Sequence, residues 1–205
     1  MATGVEQQGR RSFWLKHLHQ WHWVSSALCL VGMLLFAVTG ITLNNARHVE
    51  AKPKTVTVEG VLPETLRPAL EIGKGPVPAE IAGWFRAELG LDVSAGVPEW
   101  SDDELYIALP RPGGDGWATV SRLDGAALHE VTDRGWVSYL NDLHKGRGTG
   151  AVWSWFLDIF AVACLVFCIT GLFLLHLHAG NRPTTWPLVG LGLVAPMLLL
   201  ILLIH

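Results

Sequence analysis

Charge is what this chain has least of. Only 16% of its 205 residues are Asp, Glu, Lys or Arg while 50% are hydrophobic, against roughly 25% charged in soluble domains, so a fold surrounded entirely by water is excluded. Cysteine is scarce as well: Cys29, Cys164 and Cys168 are the whole set. All three lie inside apolar runs, which rules out a structural disulfide outside a membrane, and no Cys-x-x-Cys-His is present to attach a c-type haem covalently. A glycine-rich flavin or nicotinamide fingerprint is missing too, so any redox role would draw its electrons from outside the chain.

What is present is length in the apolar runs. Residues 24–43, "VSSALCLVGMLLFAVTGITL", contain no charge and as a helix rise about 30 Å, the thickness of a bilayer's hydrocarbon core. Residues 151–175 form a second run carrying one acid, Asp158, and residues 186–204 form a third with none. Three transmembrane helices are therefore expected. The first is too long for a signal-peptide core, and the polar "TLNNARHVEA" after it lacks a small-x-small cleavage site. Arg10, Arg11 and Lys16 precede the first span and Arg182 lies in the loop 176–185 between the second and third. The positive-inside rule then puts segment 1–23 and that loop in the cytoplasm and the C-terminus outside.

The remaining stretch, 44–150, has eleven Lys and Arg against sixteen Asp and Glu, net −5, while the rest of the chain is +2. An acidic outer domain is a poor ligand for nucleic acid or anionic lipid. "KTVTVEG" alternates like a strand, and "PETLRPALEIG" and "VPAEIAGWFRAELG" read as short helices opened by proline and closed by glycine. "DELYIALP", "GWATVSRL" and "AALHEVTD" read as strands, the last two joined at Asp124-Gly125, a hairpin turn signal. The expected fold class is a membrane protein of three transmembrane α-helices with a small α+β extracytoplasmic domain between helices 1 and 2. Inside that domain His129 stands alone and is expected at the surface.

The other histidines sort by depth. His17, His19 and His22 fall at the inner end of span 1, and His176 and His178 at the inner end of span 2. His48, His144 and His205 lie at the outer ends of spans 1, 2 and 3. Two levels of imidazole are what a pair of bis-histidine b-type haems requires; interfacial anchoring, in which Trp and His sit at headgroup level, accounts for the same clustering. At 100° per residue His22 shares a stripe with Ser26, Cys29, Met33, Phe36 and Gly40, with His19 close to that face and His17 pointing elsewhere. His176 lines up with Leu172, Ile169, Leu165 and Asp158, and an acid in the membrane should face the interior in a proton, pairing or packing role. That favours His22 with His176, leaving His19 and His178 as the alternatives. At the outer level His144 pairs with His48 or His205. Trp153 and Trp155 read as interfacial anchors.

The order "HQWHW", apolar span, "FAVTGITL", outer domain, "LHKGRGTG", apolar span, "FCITGLFL" resembles the PepSY-associated transmembrane helix family, and the hairpin "VSRLDGAALHEV" is similar to the closing strands of a PepSY domain. His19, His22 and His144 fall on the matching motif positions. The resemblance implies a bacterial inner-membrane protein with haem b, one or two per chain, of the kind that reduces ferric siderophores or other ferric chelates on the periplasmic side with electrons from a quinol or a reductase. Such reductases have more helices and a larger outer domain, so the three-helix form implies a homodimer. A non-catalytic PepSY-type sensor or assembly subunit, or a membrane protein that binds a transition metal, is the competing expectation.

Overall fold

A computed structural model describes residues 4–48 and 52–204. Its element order is helix α1 (Gly4–Asn44), strand β1 (Lys54–Val61), a 3-10 helix (Glu64–Ile72), α2 (Ala79–Glu88), β2 (Val97–Trp100), β3 (Glu104–Ala108), β4 (Gly114–Ser121), β5 (Ala126–Asp133), α3 (Trp136–Lys145), α4 (Gly150–His178) and α5 (Thr185–Leu203). Three helices, α1, α4 and α5, are long and apolar enough to cross a membrane. The expected spans are present. Helix α1 begins well before the first of them, at Gly4, because "QQGRRSFWLKHLHQ" contains no proline and mostly residues that favour helix. The basic residues and His17, His19 and His22 therefore sit on a rigid helix.

The chain divides into two compact units, Met1–Leu34 with Asp158–His205 and Leu35–Leu157. In the first, the α1 side facing α4 is marked by buried Ser25 and Cys29 and by Gly32, where an added Cβ would lie 2.3 Å from the Phe160 ring. His22, Ser25, Cys29 and Gly32 alternate steps of three and four residues, the spacing of a heptad seam. The expected stripe shares His22 and Cys29 with this seam, but the flank that packs carries Ser25 and Gly32 in place of Ser26 and Met33.

The second unit holds a five-stranded antiparallel sheet in the order β1-β5-β4-β3-β2. Leu105, Ile107, Ala118, Val120 and Ala127 project from one face and pack with Ile81, Trp84 and Phe85 of α2, Leu70 of the 3-10 helix, Leu62 and Val93. The period-2 burial of β4 gives that face its alternation. The turn between β4 and β5 falls at Gly125, φ 74°, a conformation that glycine adopts without strain. The sheet, the hairpin and the two helical segments match the sequence reading. Two elements escaped it, β2 ("VPEW") and α3. His129 also departs from expectation: it is buried, paired across β5 with Ala118 and Val58, and its Nδ1 donates to the Trp117 carbonyl at 3.0 Å. Its place two residues after Ala127 puts it on the core face of the strand, and the Trp117 carbonyl satisfies the ring where water is excluded.

Candidate functional site

Both long helices flanking the sheet domain carry one short pattern, Phe-x-x-Thr-Gly: Phe36 to Gly40 in α1 and Phe167 to Gly171 in α4. Each pattern cradles a histidine from a different helix.

In the first unit the histidine is His22 of α1. Its ring stacks on Phe167, centroids 4.6 Å apart and planes 15° from parallel. Nδ1 lies 3.0 Å from the Thr170 hydroxyl and 3.2 Å from the Phe167 carbonyl. A carbonyl only accepts, and the single hydroxyl proton of Thr170 is committed to Val166 O at 2.7 Å, so Nδ1 carries the proton and Nε2 the lone pair. Gly171 makes the approach possible: a Cβ there would stand 3.2 Å from His22 Cε1. Thr170 is buried, and burial raises the cost of leaving any of these groups unpaired.

In the second unit the histidine is His144, in the last turn of α3. Its ring meets Phe36 at 4.6 Å and 42°, and its Nδ1 lies 2.6 Å from Thr39 Oγ1. Thr39 donates to Leu35 O at 3.0 Å, so His144 also keeps its proton on Nδ1 and its lone pair on Nε2. Gly40 again leaves the space, with a notional Cβ 3.8 Å from Cε1. Helix α3 is held by three further bonds. The Thr42 hydroxyl donates to Asn141 Oδ1 at 2.6 Å; buried Asp142 accepts the Gly113 amide at 2.9 Å; and the Trp153 indole donates to the Leu143 carbonyl at 2.9 Å. Gly146, φ 69°, ends the helix in a left-handed cap. "LHKGRGTG" is thus the end of a helix and its exit, and the histidine is placed by the helix.

The other expected ligands fall out differently. His178, not His176, joins the His22 neighbourhood: both line one groove of about 650 Å³ with Phe167, Gly171, Leu172 and Leu175. His19 and His178 meet edge to face at 5.8 Å. The ring of His176 turns instead to Trp186 of α5, 5.7 Å away, so the structure does not bring the favoured partner to His22. Asp158 is exposed on α4 rather than turned inward, and among the described residues no hydrogen bond or ion pair engages it. His48 is exposed in a short 3-10 turn (Ala46–His48), and no hydrogen bond or ring contact among the described residues joins it to His144. His205 lies outside the described residues. Trp153 has the structural role given above, and Trp155 is exposed. Among the described residues no cluster of three or more His, Cys, Asp or Glu is arranged to hold a metal ion.

Thr39, Thr170, Phe36 and Phe167 are the residues that sequence reasoning passed over as partners, although the repetition of "FAVTG" and "FCITG" was the available signal. Three apolar spans, a sheet domain inserted between the first two, and a histidine held against a Thr-Gly step in each unit define a small polytopic membrane protein of the PepSY-associated kind. A family model described as "Putative PepSY_TM-like" matches residues 13–205, and the chain belongs to that family. Neither a curated protein nor a solved structure matches it.

Proposed function

We propose that this protein is a b-haem electron carrier of the bacterial inner membrane, with its N-terminus in the cytoplasm, that passes electrons to a ferric chelate on the outer side. The observation that carries the reading is the pair of imidazoles in Phe-x-x-Thr-Gly cradles. In each, Nδ1–H is fixed by an oxygen acceptor and Nε2 is left as the basic nitrogen, the arrangement that orients metal-ligating histidine and raises its basicity.

The residues fit the group at the inner level. The groove beside His22 is apolar apart from His22 and His178, and its volume lies in the range of small-molecule sites, roughly 300–1,000 Å³. The Nδ1 of His178 donates to Leu174 O at 2.8 Å, so its Nε2 is basic as well. His19, whose Nδ1 donates to Leu15 O at 2.8 Å, stands beside it in the same state. His22 and His178 are the proposed inner ligands, with His19 in reserve, and His144 is the proposed outer one. A haem iron would supply one-electron transfer at each level. The chain's own contribution is to hold each imidazole in one tautomer and to present a wall of Phe167, Leu172 and Leu175.

The competing reading, a non-catalytic module in which the histidines glue helices together, draws support from the same His–Thr bonds, since they tie α1 to α4 and to α3 with or without iron. Purified protein separates the two. Electron transfer predicts a pyridine haemochrome of one or two haems per chain, a reduced α band lost in His22→Ala or His144→Ala, and reoxidation by ferric chelates with ferrous trapping. A folded, colourless protein from cells supplied with haem precursor would overturn the haem reading and leave the module.

A further inference from the structure

We propose that the wedge between the inner ends of α4 and α5 binds the ring of an isoprenoid quinone or quinol. The wedge has a volume of about 470 Å³ and is lined by Ile169, Leu172, Phe173, His176, Trp186 and Val189. Both walls belong to membrane-spanning helices, so a ligand reaches it from the lipid.

His176 is the sign of a ligand. At this end of the molecule His17, His19 and His178 donate Nδ1–H to carbonyls one turn back on their own helices, and His22 donates to Thr170 and Phe167. His176 makes no such bond among the described residues. Its ring leaves the Leu172 carbonyl and stands against Trp186 at 63°, presenting one donor and one acceptor to an otherwise apolar space. The lining carries no Lys, Arg, Asp or Glu. A phospholipid phosphate would find no cation in this lining to pair with. A neutral flat ring with an oxygen at its edge has complementary needs. Trp186 and Phe173 offer aromatic surface, one imidazole hydrogen bond orients the oxygen, and an isoprenoid tail continues along the apolar faces of α4 and α5. The site gives the electron-transfer reading its donor. It rests on that reading only for its purpose, because binding requires no haem.

Binding is tested on the full chain in lipid nanodiscs, without added haem, by quenching of tryptophan fluorescence with ubiquinone-1. The wild type should quench saturably. Trp186→Phe should remove most of the saturable component, since the other nine of the ten tryptophans lie outside the wedge lining. His176→Leu should weaken apparent affinity at least tenfold, His176→Asn should restore part of it, and His17→Leu should leave it unchanged, with helicity equal by circular dichroism in all four. Quenching that rises linearly without saturation, equal affinity in His176→Leu, or displacement by phosphatidylglycerol at stoichiometric amounts would each overturn the site. Haem-free protein that binds ubiquinone-1 but never takes up haem would sink the proposed function and leave this site standing; a haemoprotein without saturable quenching would do the reverse.

Discussion

The Thr39 hydroxyl accepts the Nδ1 proton of His144 at 2.6 Å, and no other acceptor for that proton is found among the described residues. His22 is held differently, because the Phe167 carbonyl stands behind Thr170 as a second acceptor. The two threonines therefore predict unequal mutants. Thr39→Val should destabilise the detergent-solubilised protein by about 1 kcal/mol, the order of one interhelical hydrogen bond, and should scramble the His144 tautomer. Thr170→Val should cost less and leave His22 protonated on Nδ1. Nitrogen-15 shifts of the two imidazoles check this directly; Thr39→Ser should restore the native pattern.

A second prediction concerns the contact of α1 with α4. A side chain at Gly32 would run into the Phe160 ring, 2.3 Å from a notional Cβ, a separation that forces the ring or the helix to move. Gly32→Leu should lower stability by about 1–3 kcal/mol, the usual range for overpacking. The clash is with the far edge of one ring, so Phe160→Ala introduced alongside should recover more than half of the loss. A double-mutant cycle read by thermal unfolding in detergent gives the coupling, and simple additivity would show that the contact is not the cause.

How much of this was legible beforehand follows the kind of signal each element leaves. The spans were readable because lack of charge over a bilayer's thickness is hard to mistake. Strands β1, β3, β4 and β5 were readable because Val, Leu and Ile alternate with polar residues. Strand β2 was not, since "VPEW" is short and its proline argues against a strand interior. Helix α3 was hidden because "WVSYLNDLHK" has few strong helix formers; tertiary bonds through Asn141, Asp142 and His144 settle its conformation. The histidine levels came from counting residues along spans, but which histidines share a site depends on rotation about the helix axis. Asp158 and His176 stand about five turns apart and so share one face of α4, whereas the face that meets His22 carries Phe167, Thr170, Gly171 and His178.

Asp142 supplies the third prediction. Its carboxylate is buried, accepts the Gly113 amide at 2.9 Å and faces Lys145 at 3.5 Å. Asp142→Ala leaves that amide without its partner and should cost about 1–3 kcal/mol, the penalty for an unsatisfied buried donor. Asp142→Asn keeps an acceptor and should cost less. Because α3 positions His144, hydrogen exchange of the α3 amides should rise in the alanine variant before the sheet is affected. Uniform loss of protection across β3–β5 at the same time would show that Asp142 supports the whole domain instead.

The last prediction is a pH dependence confined to the sheet domain. The Asp92 carboxyl is held well below the usual carboxylate range, at about 2, chiefly by the Ser94 hydroxyl, then by the Ser94 amide and by Arg86, whose guanidinium stands 3.1 Å away. A folded-state value below the unfolded one means that the unfolded chain binds more protons in the interval between them. The contribution is therefore fully present above the ordinary value of 3.8 and is lost as pH falls toward about 2. Carbon-13 titration of the Asp92 carboxyl should show its midpoint near 2 in the wild type. Ser94→Ala should raise that midpoint most, and Arg86→Gln should raise it less. Both variants should show a shallower loss of stability than the wild type between about pH 4 and pH 2. The exposed setting of the pair, with Arg86 63% and Asp92 60% accessible, makes the Arg86 share sensitive to salt. In 1 M salt the Arg86→Gln shift should largely vanish, while the Ser94→Ala shift should persist because it rests on short hydrogen bonds; equal loss of both would reverse the ranking of causes.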